Sequence, residues 1–251
     1  MADKSRKQDR QALLEELRNK QRSTNRRRVL LIAGVGGVIA ATIIGFAVYG
    51  VLHERAQEKA FDDLPLDDIG AAASTCGEIT TQQTDGSHEH PSIKTQITYD
   101  TAPPAYGPHW SQPNVAPAPF GTKFYTEKDR PELEALVHNL EHGYTILWYD
   151  DSVADSDQLD EVRGIAEKFR GDNPNFKFIA APWTADDESE SGSFPDGMHL
   201  ALSHWAVSGS GDSDTDKERG VYQYCGEPSG AAVKEFMSQY PYSDSPEPNA
   251  A

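Results

Sequence analysis

Six consecutive residues, His138-Asn139-Leu140-Glu141-His142-Gly143, carry the densest chemistry in this sequence. Two imidazoles four positions apart lie one helical turn from each other and can hold one metal ion from the same face. On a helical wheel Leu136, Val137 and Leu140 fall within about 60° of Leu133. Glu134, His138, Glu141 and His142 fall between about 80° and 180° on the same wheel. The histidine face is therefore separate from the apolar stripe, and its role turns on whether another segment covers it. The order H-x-x-E-H is also that of inverted zincin peptidases, in which two histidines hold zinc and the glutamate activates water. That makes Glu141 a catalytic candidate, although the helix stops at Gly143 and no downstream acidic helix supplies a third ligand.

A cover for this face is available in residues 102–120, a proline-stiffened stretch that carries His109 beside Trp110. Proline lowers the entropy lost when such a loop fixes its histidine against a helix. The Ser87-His88-Glu89-His90 run offers a further ligand. The candidate metal ligands are thus His109, His138, His142 and His90, and three imidazoles with water or a fourth histidine suit zinc or copper. His199 and His204 sit five positions apart in a strand-like segment, on opposite faces, and cannot share one site. Trp148, Trp183 and Trp205 read as packing residues. The acidic runs at 186–188 and 212–216 could bind calcium weakly, but the second lacks the central Gly and distal Glu of an EF-hand, and both read as solvated loops. There is no nucleotide-binding loop, nucleophile elbow or defensible Cys–His pair.

Tyr99, the run Pro103-Pro104-Ala105-Tyr106-Gly107-Pro108-His109, and the later Val137-His138-Asn139-Leu140-Glu141-His142-Gly143 together resemble a bacterial family, domain of unknown function 3105 (DUF3105). Its pattern is approximately Y…PPTSGPH…HxLEHG, with Ala105-Tyr106 standing here where Thr-Ser is usual. The resemblance spans roughly residues 76–240 and implies a single-pass actinobacterial membrane protein. It brings no activity with it.

Several elements must position these side chains. Pro131–His142 is expected as a helix, with acids in its first turn and Gly143 as its stop. Asp157–Arg170 and Ala231–Tyr240 are expected as further helices, and Thr145–Tyr149, Phe176–Trp183 and His199–Val207 as strands. Lys94–Tyr99 is expected as an edge strand. The fold class is α+β, an α/β two-layer sandwich. Polar loops or disorder are expected at 187–197 and 208–219, and a disordered tail at 243–251.

Charge divides the 251 residues sharply: 1–28 carry ten basic residues against four acids, 29–52 carry none, and 53–251 are net −23. Such an acidic domain disfavours nucleic acid as a partner. The uncharged run of 24 residues from Val29 to Leu52 reaches about 36 Å as a helix, enough to cross a bilayer core of about 30 Å. A basic leader with Arg26-Arg27-Arg28, and no A-x-A site after the run, point to an uncleaved anchor with a cytoplasmic N-terminus. The expected organisation is a basic cytoplasmic segment 1–28, a transmembrane helix 29–52, a stalk 53–75, and an extracytoplasmic domain 76–242 on the plasma membrane. Both cysteines, Cys76 and Cys225, fall on the oxidising side and are expected to pair. Three functions fit: a metal-binding module, a non-catalytic envelope interaction domain with structural histidines and an envelope protein as partner, or a zinc metallopeptidase.

Overall fold

Strand-forming runs rich in β-branched and aromatic residues build the centre of the molecule. In the computed structural model, which describes residues 33, 35–37, 39–49, 61–84, 88–111, 121–171, 173, 176–208 and 217–249, five strands make one open sheet. They are β1 (Thr80–Gln83), β2 (Thr145–Tyr149), β3 (Phe178–Pro182), β4 (Leu200–Ala206) and β5 (Arg219–Cys225), in the order β1-β5-β4-β2-β3. Only β2 and β3 run parallel. Their crossover carries the short α2 (Asp151–Ala154) and α3 (Gln158–Glu167), whereas the other neighbours are antiparallel.

The sheet is covered on both faces, so the fold is α+β but not a two-layer sandwich. Leu147, Phe178, Leu202 and Val221 point to one face and pack against α3 and α5 (Gly230–Gln239) through Val162, Ile165, Val233 and Phe236. Ile146, Trp148, Ile179, Ala201 and Trp205 point to the other and meet α1 (Leu133–Glu141) through Leu133, Leu136, Val137 and Leu140. This alternation along each strand is the pleat expressed as two cores. Cys76 and Cys225 form a disulfide at a sequence separation of 149. They also oppose each other across an antiparallel bridge that prolongs the β1–β5 pairing.

Several expectations are corrected. Residues 94–99 form no strand: Lys94 has φ 72°, and the N–H of Ile97 donates to Glu134 Oε1 at 2.9 Å instead of to a ladder. Within the loop expected at 187–197, α4 (Ala185–Ser191) begins on a capping box between Thr184 and Asp187. β1 and β5 arise where no strand was expected. Residues 243–249 of the expected tail pack in place, with Ser245 1 % exposed.

The chain divides into two units, Met1–Ala56 and Gln57–Ala251. In the first, residues 39–49 are helical and expose Ile39, Ile43, Ile44, Phe46, Val48 and Tyr49. Among the described residues no helix is long and apolar enough to cross a membrane. The ends of the expected span, the basic segment, residues 53–60 of the stalk, the loop at 112–120 and the acidic run at 212–216 lie outside the described residues.

Candidate metal centre

The histidine helix is fixed at its C-terminal end by a Schellman stop. Gly143 takes φ 89°, its N–H donates to Leu140 O at 3.0 Å, and the Tyr144 N–H donates to Asn139 O at 3.0 Å. A Cβ at Gly143 would collide with the Tyr242 carbonyl and sit 2.8 Å from Ser245 Oγ, so the turn also lets the C-terminal segment approach. That segment docks through the Glu247 N–H, which donates to Glu141 O at 2.9 Å. Lys177 Nζ donates to His142 O at 2.8 Å and Pro248 O at 2.9 Å. All nine residues of α1 are buried. The polar face is covered, by residues 88–110 and by the C-terminal segment.

His109 is fully buried, and its Nδ1–H donates to Gly107 O at 2.8 Å. That fixes the ring and turns Nε2 toward Glu141 Oε2 at 3.0 Å and His90 Nε2 at 3.1 Å. A lone pair facing a carboxylate oxygen at this distance needs a positive centre between them, a proton or a metal ion. His138 is set the same way, with Nδ1–H donating to Trp110 O at 2.7 Å and Nε2 left for another partner. A histidine whose far nitrogen donates to a backbone carbonyl is the usual arrangement behind a metal ligand. His142 is 6 % exposed, and its buried Nδ1 has no hydrogen-bond partner. Its Nε2 lies 3.5 Å from Glu247 Oε2.

Two triads result. His90, His109 and Glu141 bring one donor atom each within 4.8 Å of one another, and so do His138, Glu141 and His142. All four histidines named from sequence are here, with Glu141 between them rather than beside them. His88 completes the cluster: Nδ1 lies 2.5 Å from Glu141 Oε1 and Nε2 2.9 Å from Glu218 Oε1. Its ring stacks on Trp205, whose Nε1–H donates to Glu218 Oε2 at 3.2 Å.

The electrostatics follow from these contacts. Hydrogen bonds to Glu141 and then Glu218 raise His88 to about 10, so it is an imidazolium at neutral pH. Burial works against charge on Glu141, but the hydrogen bonds from His109 and His88 outweigh it and hold the carboxyl well below its ordinary range. Burial, reinforced by His138, lowers His142 to about 4, and burial lowers His138 as well. Neutral imidazoles beside an ionised carboxylate are the protonation states that bind transition metals.

The family described as a protein of unknown function, DUF3105, matches residues 90–251. This chain belongs to the DUF3105 family. The match takes in His90, His109, α1, Glu218 and Glu247, and begins two residues after His88. No curated protein and no solved structure matches the chain.

Sequence reasoning missed Glu218 and Glu247 in this DUF3105 domain. Glu218 stands 130 positions from His88 beside a polar run, and Glu247 lies in a Ser/Pro-rich end. Neither had a local signal. His204 is apart from the cluster, bonded to the Tyr144 carbonyl at 3.1 Å and the Asp244 carbonyl at 3.0 Å. His199 pairs with Asp150 at 2.9 Å near the surface, and the two do not share a site.

Proposed function

We propose that this DUF3105 protein is a single-pass, N-in membrane protein whose extracytoplasmic domain binds a transition metal, zinc or copper, through His90, His109, His138, His142 and Glu141. The observation that carries this reading is the orientation of His109. Its Nδ1 is committed to a backbone carbonyl, while Nε2 faces Glu141 at 3.0 Å and His90 at 3.1 Å. His138 repeats the arrangement, and the unpartnered buried Nδ1 of His142 is a further donor atom that a metal would satisfy. The anchor is supported by the uncharged run at 29–52 and by the exposed apolar side chains of residues 39–49, which suit a hydrocarbon environment. An oxidising compartment is supported by the disulfide.

Glu141 serves this reading as a ligand rather than as the base of a peptidase. Both its oxygens are engaged by histidines, Oε1 by His88 and Oε2 by His109, which leaves neither aimed at a water. One observation favours the second reading, an envelope interaction domain with structural histidines: His88 joins Glu141 to Glu218 and gives both buried carboxylates a partner without an ion.

Metal content decides between them. The full chain, purified in detergent and loaded with zinc or copper, is expected to retain metal by plasma mass spectrometry, and a His138→Ala/His142→Ala variant to lose it. Absence of metal from both proteins after loading overturns the metal reading and leaves the interaction domain. For the anchor, the expected result is that the chain stays with membranes through alkaline carbonate washing; release into the wash refutes it.

A further inference from the structure

We infer that the cluster holds two metal ions rather than one, with the Glu141 carboxylate bridging a His90/His109 centre and a His138/His142 centre. This rests on the metal-binding reading and adds the number of ions and their bridge.

Ring spacing carries the argument. Zinc–nitrogen bonds of about 2.0–2.1 Å place two imidazole centroids on one tetrahedral ion about 5 Å apart, and no more than about 6.4 Å apart even on opposite sides. His90 and His109 are 4.7 Å apart, and His138 and His142 are 4.4 Å apart. Each pair therefore fits its own tetrahedral ion. His90 and His138 are separated by 6.4 Å, which one ion could span only in a linear arrangement. A single four-histidine tetrahedral site does not match these positions.

Among the described residues, the donor atoms converge as two triads, and Glu141 is common to both. The two centres adjoin, since His109 and His138 are 5.0 Å apart.

The surrounding anchors leave room for two ions. Glu141 lies between the centres, and Glu247 stands 3.5 Å from His142 at the outer side of the second. His88 now occupies Oε1 of Glu141 through Nδ1 at 2.5 Å. It has a second anchor, Glu218 at 2.9 Å, and a stacking surface on Trp205. When an ion takes Oε1, His88 keeps these contacts, so the bridge forms without leaving its ring unpartnered.

The test counts ions on the full chain in detergent, titrated with zinc and with copper(II). Two equivalents are expected, and the doubly loaded copper protein should show the half-field electron-paramagnetic-resonance transition of two close, coupled ions. His90→Asn should remove one equivalent and the coupling while leaving the other ion bound. His90 is exposed, so this variant keeps the fold, as circular dichroism should confirm. His142→Asn should remove the other equivalent. One equivalent in the parent protein with no coupling overturns the pair of ions but leaves metal binding standing. No bound metal overturns the reading beneath it as well.

Discussion

The two faces of the sheet are built from opposite materials. On the α3/α5 side, Leu147, Val162, Ile165, Phe178, Val233 and Phe236 close an apolar core to near-zero exposure. On the α1 side, Trp148, Trp183 and Trp205 form an equally dry floor, but above it lie His109, His138, Glu141, His142 and Glu218, each at most 6 % exposed. Buried ionisable groups destabilise a fold unless each finds a partner. The α1 side meets that condition through carbonyls at Gly107 and Trp110, and through the His88 link between two carboxylates. The comparison teaches a division of labour: one face supplies cohesion, and the other keeps polar atoms in fixed directions where a fluid core would let them escape.

The largest expected effect tests the cohesive face. The disulfide closes a loop of about 150 residues, worth about 5 kcal/mol in the chain-entropy account. A Cys76→Ala/Cys225→Ala variant should lose stability on that scale by chemical denaturation while still binding metal in the folded fraction. Loss of metal binding from protein that remains folded would show that the two faces are not separable.

Glu141→Gln comes next and strikes the polar face. It removes the charge that His88 and His109 share, and breaking one partner of a buried pair destabilises by about 3 kcal/mol. Denaturation midpoint and metal retention should fall together; unchanged values for both would reduce the cluster to packing.

The polar face should contribute pH dependence of both signs. His142 and His204 have lowered folded values, so the unfolded chain binds their protons more readily. Their contribution is complete above the unfolded value of about 6.5 and is lost as pH falls toward about 4 for His142. His88 has the opposite sign: its stabilisation is complete below about 6.5 and is lost as pH rises through about 10. Melting temperature in chelator should therefore decline on both sides of neutrality. His88→Gln should flatten the alkaline decline, and a decline unaltered by that change would remove His88 as its source.

The smallest effect serves as the control. His199 is partly exposed and pairs with Asp150 near the surface, so His199→Ala should shift stability by no more than about 1 kcal/mol. Metal retention should be unaltered in the same plasma mass spectrometry measurement.

What sequence could disclose follows from how local each signal is. α1 was legible because Pro131, the apolar stripe and Gly143 all lie within one short segment, and β2, β3 and β4 because their runs are almost wholly apolar. β1 was not: Thr80–Gln83 is polar and entirely exposed, so it carries no alternation to read. α4 hid in an acidic stretch, although Thr184 and Asp187 at capping-box spacing were its available signal. The stretch 94–99 misled because its β-forming residues spend their backbone bonds on α1 and on Trp110, whose Nε1–H donates to Thr95 O at 2.9 Å. At the site, the histidines were legible by spacing, whereas Glu218 and Glu247 reach it only through the sheet and the returning C-terminal segment.

The position of the disulfide has a mechanical consequence. A load entering from the N-terminal side meets Cys76 and passes through sulfur to Cys225, at a sequence separation of 149. Stretched out, that loop would be about 500 Å of chain. His88, His90, His109, α1 and Glu218 all lie inside it, so a load carried through the sulfur bridge bypasses the stretch of chain that holds the histidine cluster.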